Sequence, residues 1–186
     1  MKRKIIFLIN PNGYGHLFRI IDLIYFLIKK KIKIKIYCSS DHKKKIENEF
    51  KFKIDTEIFH SKNDLKKSPF KNLKELAEKK IILDSDLKNY NHIISDNLIN
   101  LNIPISKFFL MANFMWSETD TNSTIARNEY LKIEKKFLNQ YKKKIICNKF
   151  FRTKKITKYK NLPIDFTGNK MKQASFNNKI FFYYSQ

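Results

Sequence analysis

The segment Asn12-Gly13-Tyr14-Gly15-His16 sets two glycines and a histidine directly after an apolar run. Glycine permits backbone angles closed to other residues and lets a ligand approach the main chain. An imidazole titrates near neutrality, so it can take or give a proton under ordinary conditions. The spacing is not the dinucleotide fingerprint, which needs a third glycine where this chain has Phe18. A tight turn whose histidine caps the following helix is the plainer use of the same residues. Arg19 follows on the next turn. It can meet an anionic acceptor or a phosphate, but an ion pair with Asp22 is the stronger expectation.

Further constellations carry less. Asn113, Phe114 and Trp116 can form an aromatic wall for a sugar or lipid acceptor, although a lone tryptophan is more often core. Asp84-Ser85-Asp86 has the carboxylate pair that suits a hard divalent ion, in a motif short enough to arise by chance. His42, His60 and His92 lack metal-ligand spacing, and His42, set among lysines, should be solvated. Cys38 and Cys147 each end an apolar run and read as small buried residues at strand ends. No metal site and no cofactor follow from these residues, and neither a P-loop nor a G-x-S-x-G motif occurs.

The elements that must position the glycine–histidine loop are legible. Residues 5–9 are an unbroken apolar run ended by Asn10-Pro11-Asn12, as in a buried parallel strand. Residues 16–30 are apolar on nearly every side and read as a helix packed against a sheet. Ile32, Ile34 and Ile36 alternate with lysines in a period of two. A strand, a loop, a helix and a second strand in this order are the unit of a doubly wound α/β fold. Downstream, helices are expected over 41–50, capped by Ser40 or Asp41, over 72–80 and over 121–142. Strands are expected over 53–59, 92–95, 103–111, 144–147, 163–166 and 179–184. The fold class is therefore α/β, a Rossmann-like doubly wound and mostly parallel sheet with helices on both faces.

Composition narrows the function classes. The chain has 186 residues, 42% of them hydrophobic and 15% aromatic, and it is long enough to bury a core. The net charge is +22, but only four of the 39 basic residues are arginine, so 35 are lysine. Those lysines are spread over helix faces and turns. That pattern argues against specific nucleic-acid binding, and it fits a diffuse positive face toward an anionic membrane surface better. Few cysteines fit a cytoplasmic compartment. The run at 5–9 is too short for a secretory signal, and the apolar stretch at 17–28 contains Arg19 and Asp22, which disfavours a membrane span.

Gly13-Tyr14-Gly15-His16-Leu17-Phe18-Arg19 resembles the G-x-G-H-x-x-R opening of GT-B-fold glycosyltransferases of the MurG-like type and of the glycosyltransferase-like half of plant arabinose kinases. The segments His92-Ile93-Ile94-Ser95-Asp96 and Ala112-Asn113-Phe114-Met115-Trp116 look like a second stretch of the same relatives. The likeness covers about the first 120 residues well and the remainder only in outline. It implies an acceptor-side domain facing a donor-binding domain, a nucleotide-sugar donor (a uridine diphosphate sugar first) and a hydroxyl acceptor. His16 would be the general base and Asp96 the carboxylate that orients it, with Asp96 as a plain turn cap for residues 97–100 the rival use. Gly13, Tyr14, Gly15, Arg19, Asn113 and Trp116 would line the loop and the acceptor side.

On that reading residues 1–170 form the acceptor domain, and 171–186 begin a second domain completed elsewhere or by a partner chain. A nucleotide-sugar hydrolase of the same architecture, and a non-catalytic subunit docking at the inner membrane face, stand beside the transferase.

Overall fold

The computed structural model describes residues 3–49, 54–60, 69–119, 124–148 and 152–164. The second-domain segment 171–186 and the strand expected over 179–184 lie outside these residues.

Seven parallel strands form one sheet among the described residues, in the order β3-β2-β1-β4-β5-β6-β7. They are β1 (Lys4–Ile9), β2 (Lys33–Ser39), β3 (Asp55–His60), β4 (His92–Asp96), β5 (Phe108–Met111), β6 (Ile145–Asn148) and β7 (Asn161–Ile164). The helices are α1 (Tyr14–Lys29), α2 (Ser40–Glu49), α3 (Pro69–Glu78), α4 (Asp84–Asn89), α5 (Ile125–Gln140) and α6 (Lys154–Thr157), with a 3-10 turn over Trp116–Glu118. The expected α/β class, parallel sheet and two helical layers are all present. The expectation of a mostly parallel sheet is met in full: each described strand pairing is parallel.

Strand alternation sorts the core into two layers. Ile5, Phe7 and Ile9 pack with Ile34, Ile36 and Cys38 under Leu17, Ile20 and Ile24 of α1. Ile6, Leu8 and Ile93 face the other way, onto Leu73 and Leu76 of α3 and Phe137 of α5. A fully buried side chain of this size contributes about 1.5–3 kcal/mol, so the central strands are the most strongly held part of the sheet.

Helix boundaries have local causes. At the end of α1, Lys31 adopts φ 58°, the amide of Ile32 donates to Leu27 O, and that of Lys31 donates to Ile28 O. This is a Schellman turn with lysine where glycine is usual. Ser39, one residue before the expected caps, closes α2: its hydroxyl accepts from the amide of His42. Thr124 does the same for α5, accepting from Arg127 N at 3.2 Å. The short helices α4 and α6 were absent from the sequence expectation.

β1 has β2 on one side and β4 on the other. The chain winds outward from β1 through β2 and β3, then returns to add β4 on the opposite flank. The carboxyl ends of β1 and β4 therefore flank the topological switch point, the place where open α/β sheets hold ligands.

Candidate functional site

β1 ends at Ile9 and β4 at Asp96, and these two residues are in register. The chain leaves β1 through a short loop into α1. Gly13 in that loop has φ 91° and ψ 160°, a region essentially reserved for glycine, and its amide donates to Pro11 O at 2.8 Å. Gly15 is different. It lies inside the helix without a positive φ, and a side-chain carbon built there meets nothing within 4 Å. The backbone thus requires glycine at position 13, whereas at position 15 glycine leaves open space over the first turn of α1. That turn has no side-chain cap, so it keeps the unpaired N–H groups of a helix start.

His16 and Asp96, far apart in sequence, meet here. His16 Nδ1 lies 2.7 Å from Asp96 Oδ2, and Arg19 Nε lies 3.1 Å from Asp96 Oδ1. Asp96 is fully buried and His16 is 6% exposed. Arg19 Nη2 also comes within 2.9 Å of His16 Nδ1. One ring nitrogen cannot accept from the guanidinium and donate to the carboxylate at once. A bare Nδ1 would oppose two lone pairs at the shorter distance, so we place the proton on Nδ1, donating to Asp96. The contact of Arg19 with the ring is then steric, and its attraction is to the carboxylate. This tautomer leaves the lone pair on Nε2, which makes no hydrogen bond among the described residues. The carboxylate of Asp96 is thus engaged by His16 and Arg19, not spent on capping residues 97–100. Arg19 supplies the counter-charge that the buried carboxylate of Asp96 needs, and the expected pairing with Asp22 turns on a side chain outside the described residues.

Trp116 covers this pair. Its ring stacks on His16 with centroids 6.2 Å apart and 26° between planes. Phe70 and Phe114 meet it edge-on at 6.4 and 5.5 Å. Trp116 Nε1 donates to Asn97 O at 2.9 Å, and Asn10 Nδ2 donates to the same carbonyl at 2.9 Å. Asn97 has φ 50°, which asparagine tolerates, and its amide donates to Met111 O. Asn10 and Asn97 therefore fix the turn that aims Asp96. Both are buried, and neither was picked out by sequence; a polar residue just past a buried strand is the signal that could have marked them.

His42 corrects another expectation. It is 2% exposed, not solvated, because the first turn of α2 faces the glycine loop. Its Nε2 donates to Gly13 O at 3.2 Å, and its ring contacts Tyr14 with centroids 5.6 Å apart. Burial lowers its pKa below the ordinary imidazole value, and the hydrogen bond to Gly13 only partly opposes this.

The remaining candidates are not gathered here. Tyr14 is 48% exposed at the loop's rim. Asn113 Oδ1 accepts from Asn148 N at 2.8 Å, tying the end of β5 to β6. Asp86 is held by Lys35 Nζ at 2.8 Å and by the hydroxyl of Tyr37 at 2.6 Å, while Asp84 pairs with Lys80 on the surface. The two carboxylates do not converge, and no cluster of potential metal ligands occurs among the described residues. Cys38 and Cys147 are buried free thiols, and burial pushes Cys38 up to about 12. No helix among the described residues is long and apolar enough to cross a membrane.

No protein-family model matches the chain, and no curated protein matches it significantly.

Proposed function

We propose that this chain is the acceptor-side half of a glycosyltransferase, with His16 as the base that takes the proton of an acceptor hydroxyl. One observation carries the reading: the His16–Asp96 contact of 2.7 Å at the switch point of the sheet. Asp96 holds the proton on Nδ1 and so leaves Nε2 able to accept another as the acceptor oxygen attacks an anomeric carbon. The carboxylate then stabilises the imidazolium formed. Arg19 supplies the counter-charge to the buried Asp96. The likeness of the Gly13–Arg19 segment to GT-B enzymes supplies the substrate class, a nucleotide sugar such as a uridine diphosphate sugar. The donor subsite belongs to a second domain or partner chain, as it does in those enzymes.

The test is product analysis on the protein together with its donor-binding unit. Transfer to a hydroxyl acceptor is expected, and His16→Ala should lower it by about 10²–10⁴-fold. Release of the sugar to water despite abundant acceptor would establish the hydrolase instead. Undiminished transfer in His16→Ala would refute the role of this histidine.

A second reading rests on the outer side of α1. Tyr14, Phe18, Tyr25 and Phe26 are exposed there, with Lys29 over Tyr25, Lys30 over Phe26 and Lys45 over Phe18. Aromatic rings among lysines suit the interface of an anionic bilayer. Binding to anionic vesicles that weakens with salt and falls in Phe18→Ser/Phe26→Ser supports it. Equal binding to neutral vesicles counts against it.

A further inference from the structure

We propose that Glu134 is a positioning residue for the site: through Ser117 it fixes the turn that lays Trp116 on His16. Glu134 lies on α5 and is 2% exposed. Both of its oxygens serve one residue. Oε1 accepts from the Ser117 hydroxyl, and Oε2 accepts from the Ser117 amide at 3.4 Å. Lys155 of α6 supplies the counter-charge, 3.5 Å from Oε1, and also donates to the Ser117 hydroxyl.

An apolar side chain would fill this volume without the cost of desolvating a carboxylate. What the carboxylate adds is direction, since two acceptors on one rigid helix fix both the side chain and the amide of Ser117. The rest of the turn is secured in the same way. Glu118 accepts from Met115 N at 2.7 Å, and Arg127 Nη2 donates to Ser117 O at 3.3 Å. Ser117 is the immediate neighbour of Trp116, so rotation of its peptide would swing the indole off the imidazole and off Asn97 O. The ring face of Trp116 is thereby set from α5 and α6, elements that contribute no group to the His16–Asp96 pair.

This inference rests on the reading of His16 as the site's base, but its test does not. Trp116 is the chain's one tryptophan, so intrinsic fluorescence reports this ring alone. In Glu134→Leu the emission should shift to the red and acrylamide should quench it more strongly, in protein whose far-UV circular dichroism is unchanged. Ser117→Ala should move both readouts in the same direction. Glu134→Gln, which keeps an acceptor for the Ser117 hydroxyl, should lie between it and the parent. Should Glu134→Leu fail to fold, Ser117→Ala carries the test, because it deletes only one hydroxyl. A merely structural role predicts a lower melting temperature with the parent's emission and quenching retained, and that result overturns the proposal. In the transfer assay the same variants should lose kcat and keep KM. A red shift in a protein that transfers no sugar would leave the positioning role intact and sink the transferase reading alone.

Discussion

His16 Nδ1 and Asp96 Oδ2 stand 2.7 Å apart although 80 residues separate them in the chain. The contact exists because β1 and β4 are neighbours in register and end together. Asp96→Asn tests its polarity. Arg19 will draw the amide oxygen, so the amide nitrogen must face His16 Nδ1 as a donor. The ring proton then moves to Nε2, where it blocks proton acceptance. Transfer should fall on the order of 10⁴-fold while the fold persists. Loss of the charged partner beside Arg19 should cost roughly 1.5–3 kcal/mol in urea unfolding.

The two glycines should respond with opposite signs. Gly13→Ala forces a side chain into φ 91° and should destabilise the protein by about 1–3 kcal/mol. Gly15→Ala meets no steric obstacle and should stabilise α1 by about 0.5–1 kcal/mol. If glycine 15 serves ligand approach, that same stabilised variant should bind acceptor less well. Chemical denaturation and acceptor titration on both variants check this, and equal effects at the two positions would contradict it.

His42 should impose a pH dependence on stability. Its folded pKa lies below the ordinary value of 6.5, because burial disfavours the cation. Above 6.5 it is neutral folded or unfolded, and its contribution is complete. Below 6.5 the unfolded chain binds a proton that the folded protein refuses, so stability falls as the pH drops toward the folded value. His42→Gln, which retains a donor for Gly13 O, should flatten this part of the profile. Unfolding free energies measured across the range with and without the substitution decide it.

Asp86 should behave as a structural anion. Its pKa is lowered: burial pushes it up, but hydrogen bonds from Lys35 and Tyr37 and the positive charges of Lys35 and Lys33 together outweigh burial. Asp86→Asn should destabilise by roughly 1.5–3 kcal/mol. Divalent ions and chelators should leave the melting temperature unchanged in both forms. Manganese-dependent stabilisation that vanishes in Asp86→Asn would restore the metal reading of Asp84-Ser85-Asp86.

The fold was legible where periodicity is strong. The run of β1, the apolar α1 and the alternation of β2 declare the first β–α–β unit directly. Boundaries were less so, because Lys31 occupies a left-handed position usually given to glycine and because α6 spans a single turn. The candidate site was legible only as two separate segments, Gly13–Arg19 and the end of β4, which the sheet brings together. Asn10, Asn97 and His42 were not, since their worth lies in hydrogen bonds to backbone groups brought close only by the sheet order. The contact of Arg19 with Asp96 was hidden for a related reason. Helical spacing in the sequence points only to neighbours on α1, whereas the sheet order brings Asp96 to the guanidinium.

Long-range nitrogen-15 correlation spectra of the ring of His16 measure the proton's location most directly. The account predicts a neutral imidazole protonated on Nδ1, with Nε2 bare, and transposition of that proton in Asp96→Asn. A parent protein whose His16 carries its proton on Nε2 would contradict it.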